Sequence, residues 1–118
     1  MLYNYKCLVI NVVDGDTMDV QIDLGFGVKF EHRIRILNYD SPEIYGKVLK
    51  EEKEIGKQAK ILAKKLLLNQ EVIITTHKKK GKYGRYLAEI TFKDDKGSSI
   101  DYAFHMKKLG LVKTPNKL

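Results

Sequence analysis

Apolar and polar residues alternate along the first third of the chain. Met18, Val20, Ile22 and Leu24 fall on one face of a strand over residues 17–24, with Thr17, Asp19, Gln21 and Asp23 on the other. A Val-, Ile- and Leu-rich run over 5–13 precedes it, and VKFEHRIRILN, residues 28–38, follows a Gly25-Phe26-Gly27 turn. These runs predict an antiparallel meander of three strands. The period then changes. Ile55, Ala59, Leu62, Ala63, Leu66 and Leu67 recur at helical spacing with Lys and Gln opposite, which predicts a helix from about 52 to 68 that stops at Asn69. Two more strands are expected at 71–77 and 85–93. Ser98 or Ser99 is placed to cap a last helix that runs to about Lys108 and ends at Gly110, and the tail from about residue 113 is expected to fray.

The order is therefore βββαββα. A β-barrel with helices (α+β), the five-stranded Greek-key barrel of the OB-fold, accommodates that order. The 118 residues make one domain the default, and no repeat or linker divides them. Hydrophobic residues at 43% and charged residues at 31% support a folded core rather than disorder. No apolar run approaches the ~20 residues of a membrane span, so no membrane partner is expected. The start, MLYNYKCLVINVV, lacks a basic leader and a small-residue cleavage site and reads directly as a strand. A cytoplasmic protein is expected, or a secreted one if a leader has been removed, and nothing suggests more than a monomer. Cys7 is the lone cysteine, expected as a buried structural thiol, and His32, His77 and His105 lack metal-ligand spacing. The 22 Lys and Arg against 15 Asp and Glu give a net charge of +7, which attracts phosphate backbones or acidic surfaces.

Candidate chemistry begins at Asp14-Gly15-Asp16-Thr17, between the first two strands. Asp-Gly between alternating runs signals a tight hairpin, which accounts for Asp14 as a turn residue but not for Asp16. Asp16 shares the parity of Met18 and Val20, so it should face the core side at the barrel mouth, where an unpaired carboxylate is costly. A second acidic pair lies in Asp40-Ser41-Pro42-Glu43. Hard cations bind several oxygens, and Asp16, Asp40 and a nearby carbonyl could form a sparse, water-rich site. Plain turn capping by both aspartates is the competing explanation. Arg33, Arg35 and Arg85 could clamp phosphate oxygens, unless they are solvated or pair with Glu31 or Glu43. Glu43, beside such a metal, could act as general base or orient a water. Five residues separate Arg35 from Asp40, ~16 Å along a straight strand, so the chain must bulge or curl to bring both to one phosphate. HKKKGKYGR, residues 77–85, reads as a sequence-blind phosphate-steering loop or as a solvated turn.

VVDGDT, RIRILNYDSPE, a helix containing GKQAK, and KYGRYLAEI occur in the order and spacing of the staphylococcal nuclease (thermonuclease) family, which the chain resembles over roughly residues 5 to 112. The resemblance implies an OB barrel with a third helix beyond the two read above. It also implies a Ca²⁺-dependent nuclease that cuts DNA and RNA, single-stranded or frayed duplex for preference, with little sequence specificity and leaving 3′-phosphates. By motif position Asp16 and Asp40 match the calcium-ligating carboxylates, and Ser41 the residue whose backbone carbonyl binds the ion. Arg35 and Arg85 match the phosphate-binding arginines, Glu43 the proposed general base, and Lys82 and Tyr83 the contacts to a terminal phosphate. Three features depart from the family pattern. Ser41 replaces a Thr, the loop between strands two and three is longer, and nothing after Phe104 is aromatic where base-stacking groups are expected. Base stacking is therefore expected to be weak and to fall on Tyr83.

A non-catalytic nucleic-acid-binding OB module is the rival function class. The presence of Asp16, Arg35, Asp40, Glu43 and Arg85 together favours the enzyme, because an acidic cluster facing phosphates repels them unless a cation intervenes. A basic protein-interaction domain would explain the charge and leave that cluster unexplained.

Overall fold

The alternating runs become strands, and the strands close on themselves. A computed structural model describes residues 3–46, 48–80 and 86–113. β1 (Tyr3–Asp14), β2 (Thr17–Gly25) and β3 (Val28–Ile36) form the predicted meander, and α1 (Lys50–Leu67) follows. β4 (Glu71–Lys80), β5 (Tyr86–Lys93), β6 (Ser99–Asp101) and α2 (Tyr102–Lys108) complete the order. The sheet runs β3-β2-β1-β4-β5-β6, and a parallel pairing of β3 with β5 closes β1 to β5 into a mixed five-stranded barrel with two helices. That pairing sets Ile34 opposite Tyr86 and Arg35 opposite Leu87.

Burial follows strand parity. Val9, Met18, Val20, Ile34, Ile36, Ile74, Ala88 and Ile90 point inward and are buried. α1 carries Glu51 and Glu52 in its first turn and Lys64 and Lys65 in its last, charges that complement the helix dipole. Its buried face is Gly56, Ala59, Ala63 and Leu67, packed chiefly along β1. Asn69 ends it in the left-handed conformation (φ 61°), and its N–H reaches the Val9 carbonyl at 2.8 Å.

Several expectations need correction. β3 stops at Ile36 because Asn38 takes a positive φ and turns the chain. The last helix begins later than Ser98 or Ser99, because Ser99–Asp101 pairs with β5 as a sixth strand. Asp101 is the actual cap, accepting the Phe104 N–H at 3.0 Å. No third helix occurs among the described residues. The connection between β2 and β3 is a turn on Phe26 and Gly27 alone, both with positive φ, so the chain here is strand rather than long loop. Leu24 shares Met18's parity yet is exposed, since β2 continues past the core. Ile55 is 37% exposed, and Gly56 takes the buried place beside it. Val112 packs on the core and Lys113 is hydrogen-bonded, so the frayed tail does not include them; residues 114–118 lie outside the described residues.

Candidate active site

The acidic turn owes its place to two glycines. Gly15 is not in the left-handed region, so the Asp-Gly pair is not the positive-φ hairpin turn that its sequence suggests. Gly15 is needed for space: a Cβ there would lie 2.8 Å from the Ser41 Cβ and 3.1 Å from the Ala59 Cβ. Gly56, in mid-helix, would place a Cβ 2.6 Å from the Pro42 carbonyl oxygen. The two glycines let the β1–β2 turn, the segment 39–44 and α1 meet at van der Waals distance.

Hydrogen bonds from distant parts of the chain fix this junction. The buried Tyr102 hydroxyl donates to the Gly15 carbonyl at 2.5 Å, and the Ile36 N–H to the Asp16 carbonyl at 2.8 Å. The Tyr39 hydroxyl donates to the Leu111 carbonyl, and the Lys113 N–H to the Asp40 carbonyl at 2.8 Å. The chain after α2 therefore straps down the segment that carries Asp40.

Inside the junction Asp14, Asp16, Arg35, Ser41 and Glu43 line a cavity of about 210 Å³. Asp16 is 6% exposed. Its carboxylate accepts the Ser41 N–H at 2.9 Å, the Thr17 hydroxyl at 2.9 Å and Arg35 Nη2 at 3.3 Å. That bond accounts for the burial of Thr17, which alternation places on the wet face. The same Arg35 nitrogen bonds Asp40, so one guanidinium joins the two carboxylates. The turn at Asn38 folds Asp40 back onto Arg35 and resolves the spacing problem. Glu43 lines the cavity and pairs at 3.7 Å with Lys113 Nζ, a half-exposed contact of small energetic weight.

Asp14 is more than a turn residue. It accepts the Asp16 N–H at 3.1 Å and lines the cavity. Burial, then its side-chain hydrogen bond and repulsion with Asp16, push its carboxyl up to about 7. Burial is also the largest influence on Asp16 and opposes ionisation. The bonds from Asp14, the Ser41 N–H and Thr17, with the Arg35 charge, outweigh it and hold Asp16 below its ordinary value. The pair thus splits: Asp16 is ionised across the range in which Asp14 keeps its proton, up to about pH 7.

Arg33 does not join the site. It lies further back along the same face of β3 and pairs with Asp19 at 2.8 Å rather than with Glu31 or Glu43. Arg85, Lys82 and Tyr83 lie outside the described residues. Among the described residues no three His, Cys, Asp or Glu side chains converge tightly enough to hold an ion by themselves. The donors present are hard oxygens around an ionised, nearly buried carboxylate. They fit a hard cation completed by a backbone carbonyl and water, and not a soft or closed site. The sequence carried unused signals for two of these features. A glycine inside the periodic helix EIGKQAK costs ~1 kcal/mol against Ala and so implies close packing. Asp14 shares its turn with Asp16. The tyrosine anchors Tyr39 and Tyr102 left no such mark.

Among the described residues no helix is long and apolar enough to cross a membrane. The family model of staphylococcal nuclease homologues matches residues 33–114, which takes in Arg35, Asp40, Ser41, Glu43 and the KYGR segment. An uncharacterized protein of Methanocaldococcus jannaschii is 34% identical over 128 aligned positions, covering 93% of this chain. The chain spans 59% of that relative's length. With the match covering more than half of the chain, the protein belongs to the staphylococcal nuclease homologue family.

Proposed function

We propose that the protein is a calcium-dependent nuclease that hydrolyses DNA and RNA with little sequence specificity and leaves 3′-phosphate ends. One observation carries this reading: Arg35 joins a nearly buried Asp16 to Asp40 at the edge of a cavity that Glu43 also lines. A guanidinium and an acid cluster in one place serve an anionic substrate only with a further cation. Asp16, Asp40 and the Ser41 carbonyl are the groups that would hold calcium. When bound, the ion supplies the positive charge that lets a phosphodiester approach these carboxylates and makes a nearby water more acidic.

The chain's own groups do the rest. Arg35 turns from its carboxylate partners to the phosphate, where its fork stabilises the charge that builds up on the phosphoryl oxygens. Glu43 takes the proton of the attacking water. Water oxygen bonds to phosphorus, the bond from phosphorus to the 5′ oxygen breaks, that oxygen takes a proton from solvent water, and the phosphate stays on the 3′ oxygen. Arg85 is assigned as the second phosphate clamp, and Lys82 and Tyr83 as contacts to a terminal phosphate, by motif position.

A non-catalytic nucleic-acid-binding module is the second reading. It is favoured by the same Arg35 contacts, since a guanidinium already neutralising Asp16 and Asp40 could make the cluster stable with no ion. Calcium titration by calorimetry separates the two. The nuclease reading expects calcium binding that Asp16→Asn weakens at least tenfold, with 3′-phosphate ends on digested strands. No calcium binding by the wild type would favour the module.

A further inference from the structure

Among the described residues that line the acid cavity, Tyr45 is the one with an aromatic ring, and it shares that wall with Arg35 and Glu43. Tyr45 is 72% exposed, and among the described residues it has no hydrogen-bond, ion-pair or ring partner. A lone exposed ring on a plain surface calls for no explanation. This one stands at a charged cavity, and the backbone that carries it is held in place. A Cβ at Gly56 would lie 2.6 Å from the Pro42 carbonyl oxygen, 3.1 Å from the Glu43 carbonyl oxygen and 2.9 Å from Ile44 Cγ1, so residues 42–44 sit directly on α1. Ile44 fills the space against the helix, Gly46 turns the chain with φ 90°, and the Tyr45 ring is left on the open side.

We propose that Tyr45 is a substrate-contact residue whose ring stacks on an unpaired nucleobase next to the phosphate held in the acid cavity. The assignment rests on the nuclease or nucleic-acid-binding reading above and names the form of strand that site takes. A phosphate that reaches Arg35 brings a nucleoside on each side of it. The base is the flat, largely apolar part of that nucleoside, and Tyr45 is the flat apolar group on the cavity wall. The charged lining cannot take its place: Asp16 and Glu43 do not attract a base face, and Arg35 is engaged by phosphate. Stacking reads no sequence, because every base has a π-face, in keeping with an enzyme that reads phosphates. It does read pairing. A base inside a duplex must be unstacked and unpaired before a side chain can cover its face, at a cost that a single strand is largely spared. Tyr45 would thus set a preference for unpaired strands at the same cavity where the phosphate is handled.

The test measures binding, in calcium, of a fluorescent single-stranded deoxyoligonucleotide and of an abasic strand of the same length and charge. A Glu43→Gln background keeps the strands intact. With Tyr45 present, the base-bearing strand should bind at least about fivefold more tightly. Tyr45→Leu should bring that ratio down severalfold, and Tyr45→Phe, which keeps the ring, should preserve it. The slope of affinity against salt should be the same in all three proteins, because phosphate contacts are untouched. Their urea midpoints should also agree, since so exposed a ring carries little of the fold. No binding of either strand, equal affinity for the two strands, or an unchanged ratio in Tyr45→Leu would overturn the assignment. So would a ratio in Tyr45→Phe as low as that in Tyr45→Leu, since the hydroxyl and not the ring would then be the contact. Cutting of the same strand by the protein with Glu43 intact is scored separately. Its absence would overturn the nuclease reading and leave the base-dependent ratio standing.

Discussion

The two ends of β3 carry opposite kinds of surface. At its C-terminal end the chain turns at Asn38 into a polar cavity, where Asp16 is buried and bonded by Ser41, Thr17 and Arg35. At its N-terminal end, before its pairing with β5 begins at Ile34, Phe30 and His32 offer half-open rings on the edge of the meander. The first region is pinned by Tyr39, Tyr102 and Lys113 from three parts of the chain; the second rests on strand pairing and ring contacts. Charge has to be held in place by many partners because an unsatisfied buried carboxylate is expensive. Apolar rings carry no such penalty and can stay open. Substitutions at the acid end should therefore change chemistry and stability together, while those at the aromatic end should have little effect on the fold.

The largest contrast should come from Arg35. Arg35→Ala should lower the cleavage rate by about 10²–10³-fold, the usual cost of one charged transition-state contact. Arg35→Lys should recover only part of it, because an ammonium cannot replace the fork. Rates measured at saturating calcium check both, and wild-type rates in either would remove Arg35 from the chemistry. Next comes packing. Gly15→Ala places a methyl against Ser41 and Ala59 and should cost about 1–3 kcal/mol in urea unfolding. Tyr102→Phe, which strands the buried Gly15 carbonyl, should cost about 1–3 kcal/mol. Phe30→Ala, on the exposed edge of β3, should cost less than about 1 kcal/mol. Equal losses at Gly15 and Phe30 would erase the difference between the two regions.

A smaller effect is on pH. The Asp14 carboxyl is raised from 3.8 to about 7, so the folded state holds a proton that the unfolded chain releases. Its stabilising contribution is complete below about pH 4 and is lost as pH rises to about 7. In chelator, the wild type should lose stability across that window, and Asp14→Asn, which keeps a neutral group there, should flatten the curve. A curve that rises with pH equally in both proteins would contradict this assignment.

Alternation fixed β1, β2 and β3 closely, because inward positions such as Met18 and Val20 must be apolar once the barrel closes. Helical period found α1 for the same reason. The motif at Asp14-Gly15-Asp16 pointed to the site but misattributed its glycine: a turn and a tight contact both demand Gly, and only the fold distinguishes them. β6 was hidden because three residues of SSID are as compatible with a helix start as with a strand. The approach of Arg35 to Asp40 depends on one positive φ at Asn38, a backbone event with little trace in composition. The grouping of Tyr3, Tyr5, Phe30, His32 and Tyr86 around one cavity was illegible because the rings come from β1, β3 and β5, and only the closure of the barrel brings them together.

The most direct test is digestion of single-stranded DNA by the wild type and Glu43→Ala, each with calcium, with magnesium and with chelator. The account predicts wild-type cutting that requires calcium and falls by two or more orders of magnitude in the variant. Equal cutting by both proteins, or no wild-type cutting in calcium alongside salt-sensitive binding of the strand, would contradict it.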